Sequence, residues 1–202
     1  MNLNEYQRLA LRTSGAGHDR VKNGCLGLIG ESGEIVDILK KYMFQSGENP
    51  LFPKDKFIKE MGDVLWYCAE TVSGLDLELN TVLATSHLHS RHLYRTHGRA
   101  DLEFTSTVIA MQASCAYNAY FNLHDTEDML DSILVIYCSL LHMCEFIGTT
   151  IDEVADTNIE KLKKRYPDGF DPERSIHRPE YERKEQTESA STHLFTMRNK
   201  AL

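Results

Sequence analysis

RVKNGCLGLIGESGEIVDILKKYMF, from Arg20 to Phe44, decides the fold. It reads as a buried helix, yet Gly27, Gly30 and Gly33 recur every three residues, with Glu31 and Glu34 among them. Each glycine costs about 1 kcal/mol in a helix interior relative to alanine. Such a strip makes sense where another backbone or a ligand must come close. Glu31 and Glu34, spaced i, i+3, share one helix face, and a buried glutamate needs a partner.

Outward from this helix, the punctuation is that of further helices and short connections. A helix from about Glu5 to Thr13 precedes it and stops at Ser14-Gly15-Ala16-Gly17. Asp55 is the expected N-cap of the next, which passes through Phe57, Met61, Leu65 and Cys68 to a stop near Gly74. A fourth is expected from about Leu77 to Thr96, with Gly98 as its stop. Asp101 caps a fifth, reaching about Leu123, and Thr126 caps a sixth that ends at Gly148. Thr150-Ile151-Asp152-Glu153 fits a capping box and opens a last helix closed by Pro167. No segment alternates as a strand does, so the expected fold class is all-α, a helical bundle. The tail at 171–202 is polar and aperiodic, and little packed structure is expected there.

Bulk properties narrow the partners. A chain of 202 residues can bury one sizeable core, or two small ones packed together. The net charge of −8 argues against a nucleic-acid polymer, which needs a basic surface, but not against a small anion carried by metal ions. No apolar run of membrane-spanning length stands out, and MNLNEYQRLA resembles no signal peptide. Five cysteines without a CxxC pair fit reduced, buried thiols, and the expected compartment is the cytoplasm. His87, His89, His92 and His97 cluster, but their spacing matches no metal-ligand pattern and fits a solvated face or an interface.

A second acidic pair, Glu60-Met61-Gly62-Asp63, repeats the i, i+3 spacing on the next helix. If the two helices pack antiparallel, the acidic faces meet. Removing several carboxylates from water beside one another costs several kcal/mol per ion, and a divalent cation removes the conflict. An all-oxygen ligand set suits Mg²⁺ or Mn²⁺ better than zinc or copper. Asp37 continues the first stripe a turn away, as an outlying or surface acid. A di-iron bundle would need Glu-x-x-His pairs, and no glutamate here has histidine three residues on. An HD-type phosphohydrolase finds only His18-Asp19 and His124-Asp125, both at expected turns.

At these residues the chain resembles the MazG-like branch of the all-α nucleoside triphosphate pyrophosphohydrolases. The likeness lies in Glu31-Ser32-Gly33-Glu34 followed by Glu60-Met61-Gly62-Asp63. It takes in Tyr6 to Thr13, Leu26 to Glu31, Lys40-Lys41 and Gly62 to Tyr67, and it resumes at Asn158 to Phe170. The departure is the long middle. Asp63 to Cys68 is echoed by Ile133 to Cys138, each followed by a stop at glycine (Gly74, Gly148). A tandem, pseudo-dimeric arrangement is therefore expected, with a metal-binding half at 1–98 and a degenerate half at 99–170. In that register Leu130 and Ile133 replace the acids, and Asp128 and Asp131 turn to another face.

The resemblance implies hydrolysis of a (deoxy)nucleoside triphosphate to monophosphate and pyrophosphate, with Mg²⁺ or Mn²⁺ as cofactor. It implies a homo-oligomer, commonly a dimer. Glu31, Glu34, Glu60 and Asp63 are the expected metal ligands, and Glu34 is also the candidate for orienting the attacking water. Lys161 and Arg165, one turn apart with Asn158 on the same stripe, are expected on phosphate. Tyr67 is expected against the nucleotide, and Trp66 in the core. The competing function is a catalytically silent scaffold that binds a nucleotide or a partner.

Overall fold

The computed structural model describes residues 1–48, 50–84 and 101–176. Among these residues the secondary structure is helical throughout, and the all-α expectation holds. In chain order the helices are α1 (Leu3–Ala10), continued by a 3₁₀ turn (Leu11–Thr13), α2 (Arg20–Phe44), α3 (Lys54–Ser73) and α4 (Leu79–Leu83). They continue with α5 (Leu102–Asn118), followed by a π turn (Ala119–Leu123), α6 (Thr126–Ile147), α7 (Ile151–Arg165) and α8 (Pro172–Ile176). Of the expected fourth helix, residues 77–84 are described, and Leu79–Leu83 are helical, with Glu78 at the N-cap position. Its remainder lies outside the described residues, as do the four clustered histidines and the tail beyond Ile176.

Short polar side chains start most of these helices. Asn2, Asp19, Asp101 and Asp125 each accept the backbone N–H three residues on, at 2.8–3.0 Å, and so satisfy donors left over at a helix start. Thr150 and Glu153 exchange both bonds of the capping box. Two caps differ from expectation. Pro53, not Asp55, precedes α3, its carbonyl accepting the N–H of Phe57 at 3.0 Å; Asp55 falls in the first turn, where its charge suits the helix dipole. Asp125, not Thr126, caps α6. The aspartates of both His-Asp pairs, Asp19 and Asp125, are thus helix caps.

Helix α2 packs on α3 on one side and on α5 on another; α5 packs on α6, and α7 lies along α3. One buried cluster joins them, from Cys25, Leu28 and Ile35 of α2 through Met61 and Leu65 of α3 to Ile109 of α5 and Ile133 and Ile136 of α6. Both the acid-bearing stretch and the stretch beyond residue 99 contribute to it. Leu130 is half-buried and Ile133 wholly buried, while Asp128 and Asp131 are exposed. Helix α6 is long and apolar enough to cross a membrane by length and composition, contrary to the sequence expectation. Its Ile133, Ile136, Leu140 and Met143 are wholly buried in the core, which accounts for that apolarity. No cysteine is in a disulfide; Cys115 is exposed, whereas the other four are buried as expected.

The glycines of α2 divide in two. A Cβ on Gly24 would lie 2.8 Å from the backbone nitrogen of Thr71 and 2.9 Å from its Cα, and one on Gly27 would lie 2.1 Å from the Tyr67 ring. Gly30 and Gly33 would meet nothing within 4 Å. Close approach of α2 and α3 therefore rests on Gly24 and Gly27, and the second half of the strip opens outward. Gly24→Ala should cost about 1–3 kcal/mol, because backbone must move. Gly30→Ala should instead stabilise by up to about 1 kcal/mol. Urea unfolding of the two variants checks this; equal effects would contradict the division.

Candidate metal centre between α2 and α3

The order of contacts fixes how the two long helices run. Gly24 faces Thr71, Gly27 faces Tyr67, and further along α2 Glu31 meets Glu60 and Asp63. Rising numbers on α2 meet falling numbers on α3, so the pair is antiparallel. Acids at helical spacing on each helix are thereby brought face to face. Glu31, Glu60 and Asp63 each offer a carboxylate oxygen, and these atoms all lie within 4.8 Å of one another. All three side chains are half-buried.

Such a group repels itself. Two unit charges about 5 Å apart at an effective dielectric near 20 cost on the order of 3 kcal/mol, and three acids make three such pairs. The chain offsets part of this from α7. Lys161 Nζ forms an ion pair with Asp63 Oδ2, and Asn158 Nδ2 donates to Asp63 Oδ1 at 3.1 Å. Asn158 is itself held by the Tyr6 hydroxyl, which donates to its Oδ1 at 2.9 Å. Gly62 makes room for this, since a Cβ there would stand 2.9 Å from that of Asn158. Helix α7 therefore serves the acid-bearing pocket directly.

One lysine does not balance three acids. Burial, then Asp63, then Glu60 push the Glu31 carboxyl up to about 7, against the pull of Lys161. Burial and Asp63 also raise Glu60. A divalent cation bound by oxygens fits this donor set: it takes hard carboxylate ligands and replaces the missing positive charge. Proton uptake at Glu31 is the chain's own alternative.

Three of the four expected ligands converge; Glu34 does not join them. It is exposed, one turn beyond Glu31 beside the open surface of Gly30 and Gly33. An i, i+3 pair shares a face only broadly, and here only Glu31 points between the helices. Asp37 is a surface acid held by Lys40 and Lys41, which lower its carboxyl to about 2. Tyr67 is half-buried on Gly27, with its ring edge-on to Trp66 at 4.8 Å between centroids. Burial, then the charges of Glu31 and Asp63, push its hydroxyl up to about 12. Trp66 is half-buried rather than in the core, donating from Nε1 to the Ala10 carbonyl at 3.1 Å. Arg165 is half-buried at the end of α7, its guanidinium 5.3 Å from the Tyr166 ring centroid. It acts favourably on the Tyr67 phenolate. Tyr6 and Glu70 were not singled out from sequence; Tyr6 lay in a resembling block, whereas Glu70 gave no signal.

An acid whose folded value is raised stabilises the fold while protonated, and that contribution is lost as pH rises through the folded value. For Glu31 the window is about 4.5 to 7. Without divalent cations, the thermal midpoint should fall across this window, and Glu31→Gln should flatten the fall. Asp37 and Glu153, with lowered values, act in the opposite direction at more acid pH. Scanning calorimetry at pH 5 and pH 8 checks this; an equal fall in Glu31→Gln would contradict it.

No protein-family model matches the chain, and no solved structure is similar to it. The chain is similar to the Gene 37 protein of Mycobacterium phage L5, 35% identical over 77 residues. The match covers 38% of this chain and 62% of the relative, whose name states no activity.

Proposed function

We propose that the chain is a Mg²⁺-dependent nucleoside triphosphate pyrophosphohydrolase of the MazG-like kind. The observation that carries this reading is the convergence of Glu31, Glu60 and Asp63 from two antiparallel helices within 4.8 Å. The order of the two acidic motifs and of the Asn158–Arg165 stripe adds to it. Glu31, Glu60 and Asp63 would hold the cation (Mg²⁺, or Mn²⁺ in its place), with the exposed Glu34 on its open side. When bound, the cation supplies charge neutralisation for the triphosphate and acidifies water.

The rest falls to the chain's own residues. Lys161 exchanges Asp63 for a phosphate oxygen, and Arg165 adds a second, permanently charged donor one turn on. Asn158, fixed by Tyr6, keeps Asp63 oriented. Glu34 orients the attacking water from the solvent side. Tyr67, a half-buried aromatic on the bare backbone of Gly27, offers its face to the nucleoside. The products are a nucleoside monophosphate and pyrophosphate. The same reading makes the protein a cytoplasmic homo-oligomer, in which residues 99–170 form a degenerate second unit.

The competing reading, a silent nucleotide- or partner-binding scaffold, draws on Lys161 already occupying Asp63 and on Glu34 standing apart. Incubation with a panel of (deoxy)nucleoside triphosphates and Mg²⁺ decides between them. Pyrophosphate release is expected, reduced at least 100-fold by Asp63→Asn and at least tenfold by Glu34→Gln, because positioned groups typically contribute factors of about 10²–10⁴. Release from no nucleotide would overturn the enzyme reading.

A further inference from the structure

Glu70 is an acidic residue with no part in the proposed reaction. It lies on α3 seven residues beyond Asp63, roughly 10 Å along the helix at 1.5 Å per residue. Tyr67 stands between, under the charges of Glu31 and Asp63 and also of Glu70. The Glu70 side chain is fully buried at 0% exposure. Its Oε1 takes two partners from the loop before α2, the Ser14 hydroxyl donating at 2.9 Å and His18 Nε2 at 2.8 Å. Its Oε2 has no partner among the described residues.

Anchoring the Ser14–His18 loop needs only Oε1. A second carboxylate oxygen, buried and unpaired among the described residues, is costly unless something else donates to it. We propose that Glu70 Oε2 is a base-selecting acceptor, taking the exocyclic amine of a cytosine or adenine nucleotide. This inference rests on the nucleotide reading of the site.

Three features specify the donor. Oε2 is buried, so a base reaches it only by displacing part of its cover, and then by a group that protrudes beyond the ring, as an amine does, and not by an imide N–H flush between two carbonyls. Oε1 is already engaged, so a single donor is taken instead of a bidentate pair. With two donors already on Oε1, the role left for Oε2 is to accept. Uracil and hypoxanthine put a carbonyl oxygen where cytosine and adenine carry the amine, and that oxygen would face Oε2 and be rejected. His18, which holds Oε1, is itself 35% exposed. The site then favours ordinary amine-bearing bases over their deaminated counterparts.

Calorimetric binding to the full chain in Mg²⁺ tests this with nonhydrolysable α,β-imido analogues of dCTP, dUTP, dATP and dITP. For the ring size the pocket accepts, the amine-bearing member should bind at least threefold more tightly. Glu70→Gln, able to donate as well as accept, should bring the ratio below threefold. Ser14→Ala, which strips a donor from Oε1 alone, should preserve it. Should Glu70→Gln not fold, the amine protons of ¹⁵N-labelled α,β-imido dCTP or dATP bound to the wild type decide. Protection from solvent exchange is expected, and bulk-like exchange would overturn the proposal. Equal or tighter wild-type binding of the amine-free analogues, or an unchanged ratio in Glu70→Gln, would overturn the role of Glu70 while leaving the nucleotide reading intact. Binding of none of the four would overturn both.

Discussion

Carboxylates repel, and a fold that gathers three of them between two helices must supply positive charge or take up protons. In this chain that requirement governs the architecture around α2 and α3. The backbones of Gly24 and Gly27 let the helices approach closely enough for Glu31 to face Glu60 and Asp63. Helix α7 then lies along α3 and delivers Lys161 and Asn158 to Asp63. Glu31 takes up what is left of the imbalance, its carboxyl raised to about 7. Loss of the close approach would move Glu31 away from Glu60 and Asp63, while Lys161 and Asn158 would keep their contact, because α7 meets Asp63 on α3.

The same compensation links the site to the rest of the molecule. Tyr6, from the first helix, is fully buried and holds Asn158, and burial followed by the Asp63 charge raises its hydroxyl well above the usual range. Elements far apart in sequence are therefore joined around one carboxylate. The neighbouring core of Met61, Leu65 and Cys68 is wholly apolar, so Asp63 has few other sources of stabilisation. An electrostatic demand at one point thus helps to set where α1 and α7 dock.

How much of this was legible in the sequence follows from which forces are local. Helix starts at Asp101 and Thr150 could be read because a capping side chain reaches only three residues along. The cap of α3 could not, because the fixed backbone of Pro53 starts the helix before the more obvious Asp55. Acidic pairs at i, i+3 marked a shared face, and antiparallel packing brought Glu31, Glu60 and Asp63 together. Glu34 was misplaced because that spacing spans a broad arc of the helix, and only packing decides which member turns inward. The glycine strip looked uniform in sequence; Gly24, which extends the three-residue spacing one step before Gly27, has the tightest backbone contact of the α2 glycines. Glu70 was invisible for a similar reason: its burial depends on a loop more than fifty residues away in sequence, closing over it through Ser14 and His18.

Crystals soaked in Mn²⁺ and measured for anomalous scattering test the central claim most directly. A peak coordinated by Glu31, Glu60 and Asp63, with Lys161 displaced from Asp63, is the predicted result. Crystals of active protein with no peak between α2 and α3 at millimolar Mn²⁺, and with Lys161 still on Asp63, would contradict it.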